Sequence, residues 1–490
     1  MLVLWGSACA ASAAESRRAP GPGCGDAADA YAYLNTLRRG LGLGELAPSP
    51  TLARAAESHA RYLEQNRPAQ GWAARVDAHA EAASRPGFTG EHPQARAVHA
   101  GYPHDAVSEN VHTGAQDARE AIDGLMSGIY HRFGFLDPLL DQVGIGVCGV
   151  SFVFKMGRRD LEALCVTPPR EALYEEPFGV SCPDGTLLDA AYMERFCASP
   201  PEFALLRGGG EFVKPCGEDV RVARRWWEKF CKSPPPAARH RQGALYATPC
   251  PAAPERRVGA QYLEALRRNR LARAPRYLAW PQERRGPVSP AFSNERPDPM
   301  PDRRETGYPA SIEFNPERVG TVVLESFRLR RLVPDGGEAA VGPTRLLSRE
   351  TDPNGRLSAH QFALFPLERL GWGARYRAEV LARVDGRPDA ISWTFATREL
   401  GMPVQRLGPR VTRVRYAPGE PLALDLSASG GLDPALGDLR AWGASVAQLR
   451  LEVIDRSTVR IEIESAACDP IRLERGGRRL AELVADGCPP

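Results

Sequence analysis

Residues 101–111, GYPHDAVSENV, and residues 130–146, YHRFGFLDPLLDQVGIG, are the stretches that decide how this 490-residue chain folds. The second stretch runs into VGIGVCGVSFVFKMGRRDLEALCV, residues 143–166, which predicts a β-hairpin. We expect its turn near Met156 and Gly157. That turn would place Cys148 opposite Cys165 at cross-strand distance and predicts a local disulfide between them.

Helical patterns lie upstream of this hairpin. Residues from about 26 to 66 predict two helices, the first from the helical spacing of Tyr31, Leu34 and Leu37. Ser49 followed by Pro50 is a typical N-cap and first-turn pair for the second helix. Further helical stretches lie near 92–100 and 115–130. Helices around a small sheet predict an α+β domain.

The ordered motifs of this region resemble the CAP family (cysteine-rich secretory protein, antigen 5, pathogenesis-related 1; also called SCP-like). The match covers about residues 28–166, in an N-terminal domain expected at 26–166. Order and spacing both fit, in the series His79-Ala80-Glu81, Ala95-Arg96, Gly101-Tyr102, Ser108-Glu109-Asn110-Val111, Tyr130-His131-Arg132 and Val143-Gly144-Ile145-Gly146. The resemblance implies an α-β-α sandwich with a central cleft, which binds a divalent metal in some members.

The resemblance also implies the residues of that cleft, namely His79, Glu109, Asn110 and His131. Two imidazoles and one carboxylate suit Zn²⁺ or a similar ion, so His79, Glu109 and His131 are the candidate metal ligands. One departure concerns residues 127–130, Ser-Gly-Ile-Tyr, where the family often has a carboxylate before the final histidine. Glu81 is a candidate substitute from the His79 loop.

Structural interpretations compete with these roles. His59 is expected to be a packed helix residue, and Glu109 and Asn110 to hydrogen-bond the backbone and fix the cleft loop. The remaining histidines of the domain are expected on the surface or in loops, at His92, His99, His104 and His112.

The cysteines indicate export. Residues 1–20 resemble a secretory signal peptide, and Cys9 is a weak candidate for lipid attachment. The other ten cysteines form an even set, which is typical of disulfides in an oxidising compartment. Cys468 and Cys488 bracket the last segment and are expected to pair. The location is therefore predicted to be secreted, periplasmic or on the cell surface.

A repeat of 34 residues occupies the predicted segment 167–275. CPDGTLLDAAYMERFCASPP begins at Cys182, CGEDVRVARRWWEKFCKSPP begins at Cys216, and a degraded copy begins at Cys250. Each unit looks like a loop and a short helix, too small to bury a core alone. The module is interpreted either as structural reinforcement or as a binding or spacer element.

Alternating strand patterns fill the rest of the chain. They predict two β-sandwich-type domains at residues 277–400 and 403–490, the first resembling bacterial Ig-like domains. No apolar run reaches the length of a membrane span. The net charge of +3 and the absence of basic blocks give no indication of nucleic-acid binding.

Three functions remain open from the sequence. The first is a module that binds a small molecule, a lipid or a cell-envelope component, with or without a metal. The second is a structural or adhesive surface protein, and the third is a metal-assisted hydrolase acting on peptide or cell wall. The incomplete acidic set favours binding over catalysis.

Overall fold

The computed structural model describes most of the chain, in ranges separated by short gaps: 24–67, 77–173, 178–183, 186–235, 238–240, 246–293, 295–429, 439–443, 449–464, 466 and 468–488. The signal-like segment and Cys9 lie outside these ranges. The chain forms two compact units. Among the described residues, the first unit comprises those within 24–33, 45–121 and 139–267, and the second comprises those within 34–44, 122–138 and 268–488.

The described helices are α1 (Ala28–Gly40), α2 (Pro50–Gln65), α3 (Pro93–His99), α4 (Ala118–Ser127), α5 (Ile129–Leu136), α6 (Arg159–Val166), α7 (Ala190–Ala198), α8 (Arg224–Lys232) and α9 (Ala260–Leu271). The two helices predicted between 26 and 66 are confirmed as α1 and α2. Ser49 caps α2, because its side chain accepts a hydrogen bond from the backbone N–H of Leu52.

The first unit is built on a four-stranded sheet in the order β1-β3-β4-β2. Its strands are β1 (Ala47–Pro48), β2 (Ser108–Thr113), β3 (Gln142–Cys148) and β4 (Ser151–Gly157). β1 runs parallel to β3, whereas β4 is antiparallel to both β3 and β2. Helix α2 packs on β3 and β4 through small and apolar side chains, including Ala56, Ala60 and Leu63. The α+β fold expected from the sequence is confirmed.

The predicted hairpin turn is wrong, and so is the local disulfide. The chain reverses at Gly149 and Val150, seven residues earlier than expected, so that Cys148 pairs in register with Ser151. Cys148 is bonded to Cys24 instead, and Cys165 to Cys250. The physical reason is that Gly149 adopts a positive φ of 54°, which a tight turn tolerates at glycine and not at Met156.

The repeat segment forms short strands and helices joined by disulfides. The strands are β5 (Phe178–Ser181), β6 (Leu187–Asp189), β7 (Phe212–Val213), β8 (Val222–Ala223), β9 (Arg239–His240), β10 (Tyr246–Ala247) and β11 (Val258–Gly259). Bonds between Cys182 and Cys231 and between Cys197 and Cys216 connect the first two repeats. The pairs therefore run between units of the repeat and not within them.

Two pairs of four-stranded sheets make up most of the second unit. The first pair has the orders β12-β15-β19-β18 and β17-β16-β20-β21. A short ribbon joins β13 to β14. These strands are β12 (Tyr277–Trp280), β13 (Ala291–Phe292), β14 (Thr306–Gly307), β15 (Ala310–Phe314), β16 (Val322–Leu332), β17 (Glu338–Ala340), β18 (Thr344–Leu347), β19 (Gln361–Pro366), β20 (Arg375–Val384) and β21 (Arg387–Ala396).

The second pair of sheets has the orders β22-β24-β27-β26 and β23-β29-β28-β25. Leu424 and Ile461 of one sheet share a core with Val414 and Leu483 of the other. Cys468 pairs with Cys488, as predicted. The strands are β22 (Val404–Arg406), β23 (Thr412–Tyr416), β24 (Leu422–Asp425), β25 (Leu439–Trp442), β26 (Leu449–Asp455), β27 (Thr458–Ile463), β28 (Ile471–Arg475) and β29 (Arg478–Ala485).

Helix α5 is part of the second unit, because its side chains pack into the core of that unit. Ile129 and Phe133 join a core with Phe292 and Phe365. The guanidinium of Arg132, fully buried, donates to the carbonyl oxygen of Pro309 at 2.9 Å, and further donates to Met126 O and Ser311 Oγ. The His-Arg motif of the sequence thus lies on a helix packed against the strand-rich unit.

Candidate functional site

The carboxylate of Glu109 is the centre of a buried ion network in the first unit. Glu109 lies on β2 directly opposite Lys155 on β4, because the antiparallel register pairs these two positions. The Lys155 ammonium donates to Glu109 Oε2 at 2.5 Å, and neither side chain is more than 1% exposed. Strand pairing therefore supplies Glu109 with a cation.

A second cation reaches Glu109 from helix α3. Arg96 Nη2 donates to Glu109 Oε1 at 2.8 Å. The same guanidinium donates to the backbone oxygens of His79 and Gly90, which fixes the loop in front of the helix. Arg96 is fully buried, so its ion pair with Glu109 is shielded from water.

His59 and Glu81 form the other half of this network. His59 Nδ1 lies 2.8 Å from Glu81 Oε1, and His59 Nε2 lies 2.8 Å from the carbonyl oxygen of Ala78. Both ring nitrogens of His59 face hydrogen-bond acceptors. Both hydrogen bonds form when Nδ1 and Nε2 each carry a hydrogen to donate. Glu81 also accepts from the backbone N–H groups of Thr89 and Gly90. His59 is a packed helix residue, in agreement with the structural interpretation of the sequence.

His79 is the member of the network that meets solvent. Its Nδ1 lies 3.0 Å from Glu109 Oε1, and its side chain is 29% exposed, against 0–1% for Glu109, Arg96, Lys155, His59 and Glu81. Asn110, which was expected beside it, follows Glu109 on β2 and so faces the opposite side of the sheet, where it is buried.

The charges of the network decide the protonation of its carboxylates. Burial by itself would raise the pKa of Glu109, but the nearby charges of Lys155 and His59 and the hydrogen bond from His79 hold it well below its usual range. Burial likewise opposes ionisation of Glu81, and the hydrogen bond with His59 nevertheless lowers its pKa. Burial lowers the pKa of Lys155, against the attraction of Glu109.

This donor set does not suit a divalent ion at Glu109. Both carboxylate oxygens are already engaged by Lys155, Arg96 and His79, and a dication there would be repelled by two buried cations. Across the described ranges, no cluster of three or more His, Cys, Asp or Glu side chains could hold a metal ion. The metal site remains a prediction from the sequence, and the contacts of Glu109 weigh against it.

His131 lies in the second unit and has a different carboxylate. Glu295 Oε1 accepts from the backbone N–H of His131 at 2.8 Å and lies 2.7 Å from His131 Nδ1. Gly128, the N-cap of α5, has no side chain, and a Cβ there would meet the Glu295 carboxyl at 2.6 Å. Glu295 therefore caps the helix and orients the ring, 164 positions away in sequence.

His79 and Glu109 are thus in contact in the structure, whereas the carboxylate in contact with His131 is that of Glu295. Lys155 and Glu295 were missed from the sequence. Lys155 could have been noticed in the sequence, because it is a lysine inside the otherwise apolar strand SFVFKM. Nothing near Glu295 in the sequence indicated that it contacts His131. His104 lies in a loop, one of the two positions expected for it, but it is fully buried against Tyr102, and its Nε2 lies 3.2 Å from the carbonyl oxygen of Arg158.

Comparisons with known proteins agree with the motif order. Residues 31–154 match the model of the cysteine-rich secretory protein (CAP) family. The chain therefore carries a CAP domain over these residues. No curated protein matches the chain.

Two solved structures resemble parts of the chain. An extracellular protein containing an SCP domain from Bacillus anthracis str. Ames is 19% identical, and the alignment covers 27% of this chain and 39% of that one with a TM-score of 0.23. The Bacteroides ovatus mixed-linkage glucan utilization locus protein SGBP-B, in complex with a heptasaccharide, is 10% identical over 34% of this chain and 41% of that one, with a TM-score of 0.11. The chain spans less than half the length of both structures.

Proposed function

We propose that this CAP-domain protein is exported and acts as a binding module, in which the ion network around Glu109 holds His79 at the domain surface to contact a ligand of the cell envelope. The observation that carries the proposal is the contrast in exposure between His79 and the buried side chains behind it. A buried, ion-paired base orients one accessible imidazole, which is how binding sites fix a polar contact.

The state of Glu109 favours binding over catalysis. A general base must accept a proton near the working pH, and a carboxylate whose pKa lies far below that range accepts one poorly. A metal-bound hydrolytic centre would need Glu109 as a ligand, yet its oxygens already accept from Lys155 and Arg96. These contacts support a positioning role for Glu109.

The disulfides support export. Five are formed among the described residues, as expected of a protein that folds in an oxidising compartment. Over the same residues, no helix is both long and apolar enough to span a membrane. The proposed location of the protein is therefore outside the cytoplasmic membrane, either secreted, periplasmic or on the cell surface.

The test measures binding of the full-length protein to two envelope preparations, purified peptidoglycan sacculi and phosphatidylglycerol vesicles. His79→Ala is expected to weaken binding to one of them about fivefold, equal to loss of a hydrogen bond of about 1 kcal/mol. His99→Ala is the matched control, because His99 is an exposed histidine at the end of α3 outside the network.

Equal binding of native protein and His79→Ala would refute a contact role for His79. A zinc titration by calorimetry, run on the same two proteins, checks the metal interpretation. Zinc binding by the native protein that disappears in His79→Ala would instead restore the metal site and contradict the binding mode proposed here.

A second candidate function is a rigid surface spacer, and the cross-linked repeats favour it. The bonds Cys182–Cys231 and Cys197–Cys216 link the first two repeats, and the rings of Phe196 on α7 and Trp226 on α8 stack with their centroids 5.6 Å apart. A spacer role requires that surface attachment survive His79→Ala and fail in the Cys182→Ser/Cys231→Ser variant. Attachment that is unaffected by the cysteine substitutions would exclude it.

A further inference from the structure

A cavity of about 720 Å³ lies in the second unit, outside the CAP domain. Three acidic side chains, Asp302, Glu305 and Glu368, line it together with six arginines, Arg303, Arg304, Arg369, Arg406, Arg456 and Arg475. We propose that this arginine cavity binds an oligoanion, a ligand that carries two or more phosphate or carboxylate groups. The inference goes beyond the proposed function, because it does not depend on His79 or its network.

The acids of the cavity do not cancel its positive charge. Asp302 is held in a bidentate ion pair by Arg345, at 2.6 and 2.8 Å, and Arg345 does not line the cavity; the lining Arg303 lies farther from Asp302, at 3.7 Å. Glu368 lies 3.5 Å from Arg406. Within the described part of the chain, neither Arg304 nor Arg456 forms an ion pair. An excess of guanidinium groups therefore faces the cavity.

Two lining groups have unused hydrogen-bonding capacity. Arg369 is 1% exposed in its side chain and is held by Glu305 and Asp455, yet its Nε has no hydrogen-bond partner among the described residues. Ser427 Oγ is buried and also has no hydrogen-bond partner in the part of the chain that the structure describes. Because buried donors are normally satisfied in folded proteins, these two atoms point to an additional ligand.

The elements around the cavity hold the arginines in place. Arg369 follows β19, Arg406 ends β22, Arg456 lies in the turn between β26 and β27, and Arg475 ends β28. Arg456 Nη1 also donates to the backbone carbonyl oxygen of Arg304 at 3.0 Å, which ties the Arg456 side chain to the segment that carries Arg304.

Size and chemistry together define the ligand class. The volume falls inside the range of about 300–1,000 Å³ that is typical of small-molecule sites. Planar guanidinium groups match the paired oxygens of phosphates and carboxylates. A single small anion would leave most of the cavity and most of the arginines unused, so the arrangement suits an oligoanion.

The experiment is isothermal titration of the full-length protein with three probes: tripolyphosphate, trigalacturonate and the uncharged maltotriose. The double variant Arg304→Gln/Arg456→Gln is expected to raise the Kd of the binding probe at least about tenfold, because two guanidinium contacts are removed. The control, Arg450→Gln/Arg472→Gln, removes the same charge from exposed positions on β26 and β28 and is expected to change the Kd less than about twofold.

Binding of tripolyphosphate alone or of trigalacturonate alone supports the proposal and identifies phosphate or carboxylate as the preferred group. Three results would overturn it: no binding of either anion at millimolar concentration, equal binding of maltotriose, or an equal loss in the control variant. Circular dichroism confirms that each variant is folded. His79→Ala must leave the titration unchanged, which separates this outcome from that of the proposed function.

Discussion

At the scale of single residues, the chain buries an unusual amount of charge around one carboxylate. Glu109, Arg96 and Lys155 are each at most 1% exposed in their side chains. Taking such groups out of water is expensive, and only complete pairing offsets the cost. The network is therefore expected to be intolerant of the loss of any one member.

Lys155→Met is expected to destabilise the sheet by about 3–5 kcal/mol, because it leaves Glu109 buried with a reduced set of cations. Hydrogen exchange of the β2 and β4 amides in the full-length protein measures this change. The control is Lys214→Met, which breaks the exposed pair with Glu218 and is expected to cost less than about 1 kcal/mol. Similar small losses in both variants would show that the buried pair is not stabilising.

Glu313 on β15 gives a prediction with a defined pH window. Burial, together with the charge of Asp137, raises its pKa to about 8 from an ordinary value of 4.5. Between these two values the unfolded chain releases the proton while the folded protein retains it. The free energy of unfolding must therefore fall as the pH rises through this window. The stabilisation that comes from the raised pKa of Glu313 is fully present below the window.

Glu313→Gln removes this pH dependence, since an amide does not titrate and retains a hydrogen-bonding group for Gln361. Urea denaturation at pH 5 and pH 7.5 is expected to show a smaller loss of stability in the variant than in the native protein. Equal losses in both proteins would mean that Glu313 is ionised in the folded state.

At the scale of elements, the contact between α2 and β3 depends on glycine. A Cβ on Gly146 would overlap the backbone of Ala56 and Glu57, and one on Gly144 would overlap Leu52 and Ala53. The VGIG pattern that suggested a strand in the sequence therefore has a second reason. It allows the helix backbone to approach the sheet directly.

Gly146→Ala is expected to cost about 3 kcal/mol or more, because backbone on both sides must move to accept the methyl group. Gly25→Ala is the matched control, as the added Cβ there would lie 3.8 Å from Val147 in ordinary contact. Chemical denaturation followed by circular dichroism compares the two. A loss below about 1 kcal/mol for Gly146→Ala would mean that α2 can shift away from β3 at little cost.

At the scale of the whole molecule, disulfides join elements that are distant in sequence. Cys165 on α6 is bonded to Cys250, 85 positions later, beside a cluster in which Leu161 and Leu164 meet Val258. Closing a loop of this length restricts the unfolded chain strongly. The bond therefore ties the end of the CAP region to the last repeat.

Cys165→Ser/Cys250→Ser is expected to lower the stability of this region by up to about 4 kcal/mol, since the loop-closure entropy is returned to the unfolded state. Hydrogen exchange of the α6 amides reports the change. The control is Cys468→Ser/Cys488→Ser, which opens a bond next to β28 and β29 and is expected to leave α6 unchanged. Equal protection of α6 in both variants would contradict the prediction.

The sequence by itself determined the features that depend on neighbouring residues. The periodicity of Tyr31, Leu34 and Leu37 fixed α1, and Ser49 with Pro50 fixed the start of α2. The ordered motifs identified the CAP region, and alternating strands predicted the β domains. These signals are local, because caps and hydrophobic periodicity act over a few residues.

Only the tertiary structure decided the features that depend on chain closure and register. The partners of Cys148 and Cys165, the pairing of Glu109 with Lys155, and the distribution of His79 and His131 between two units are of this kind. A shift of one residue in a strand reverses which face each side chain occupies. Contacts between residues far apart in sequence depend on the total free energy of many weak packing interactions across the fold. No single sequence motif contains that information.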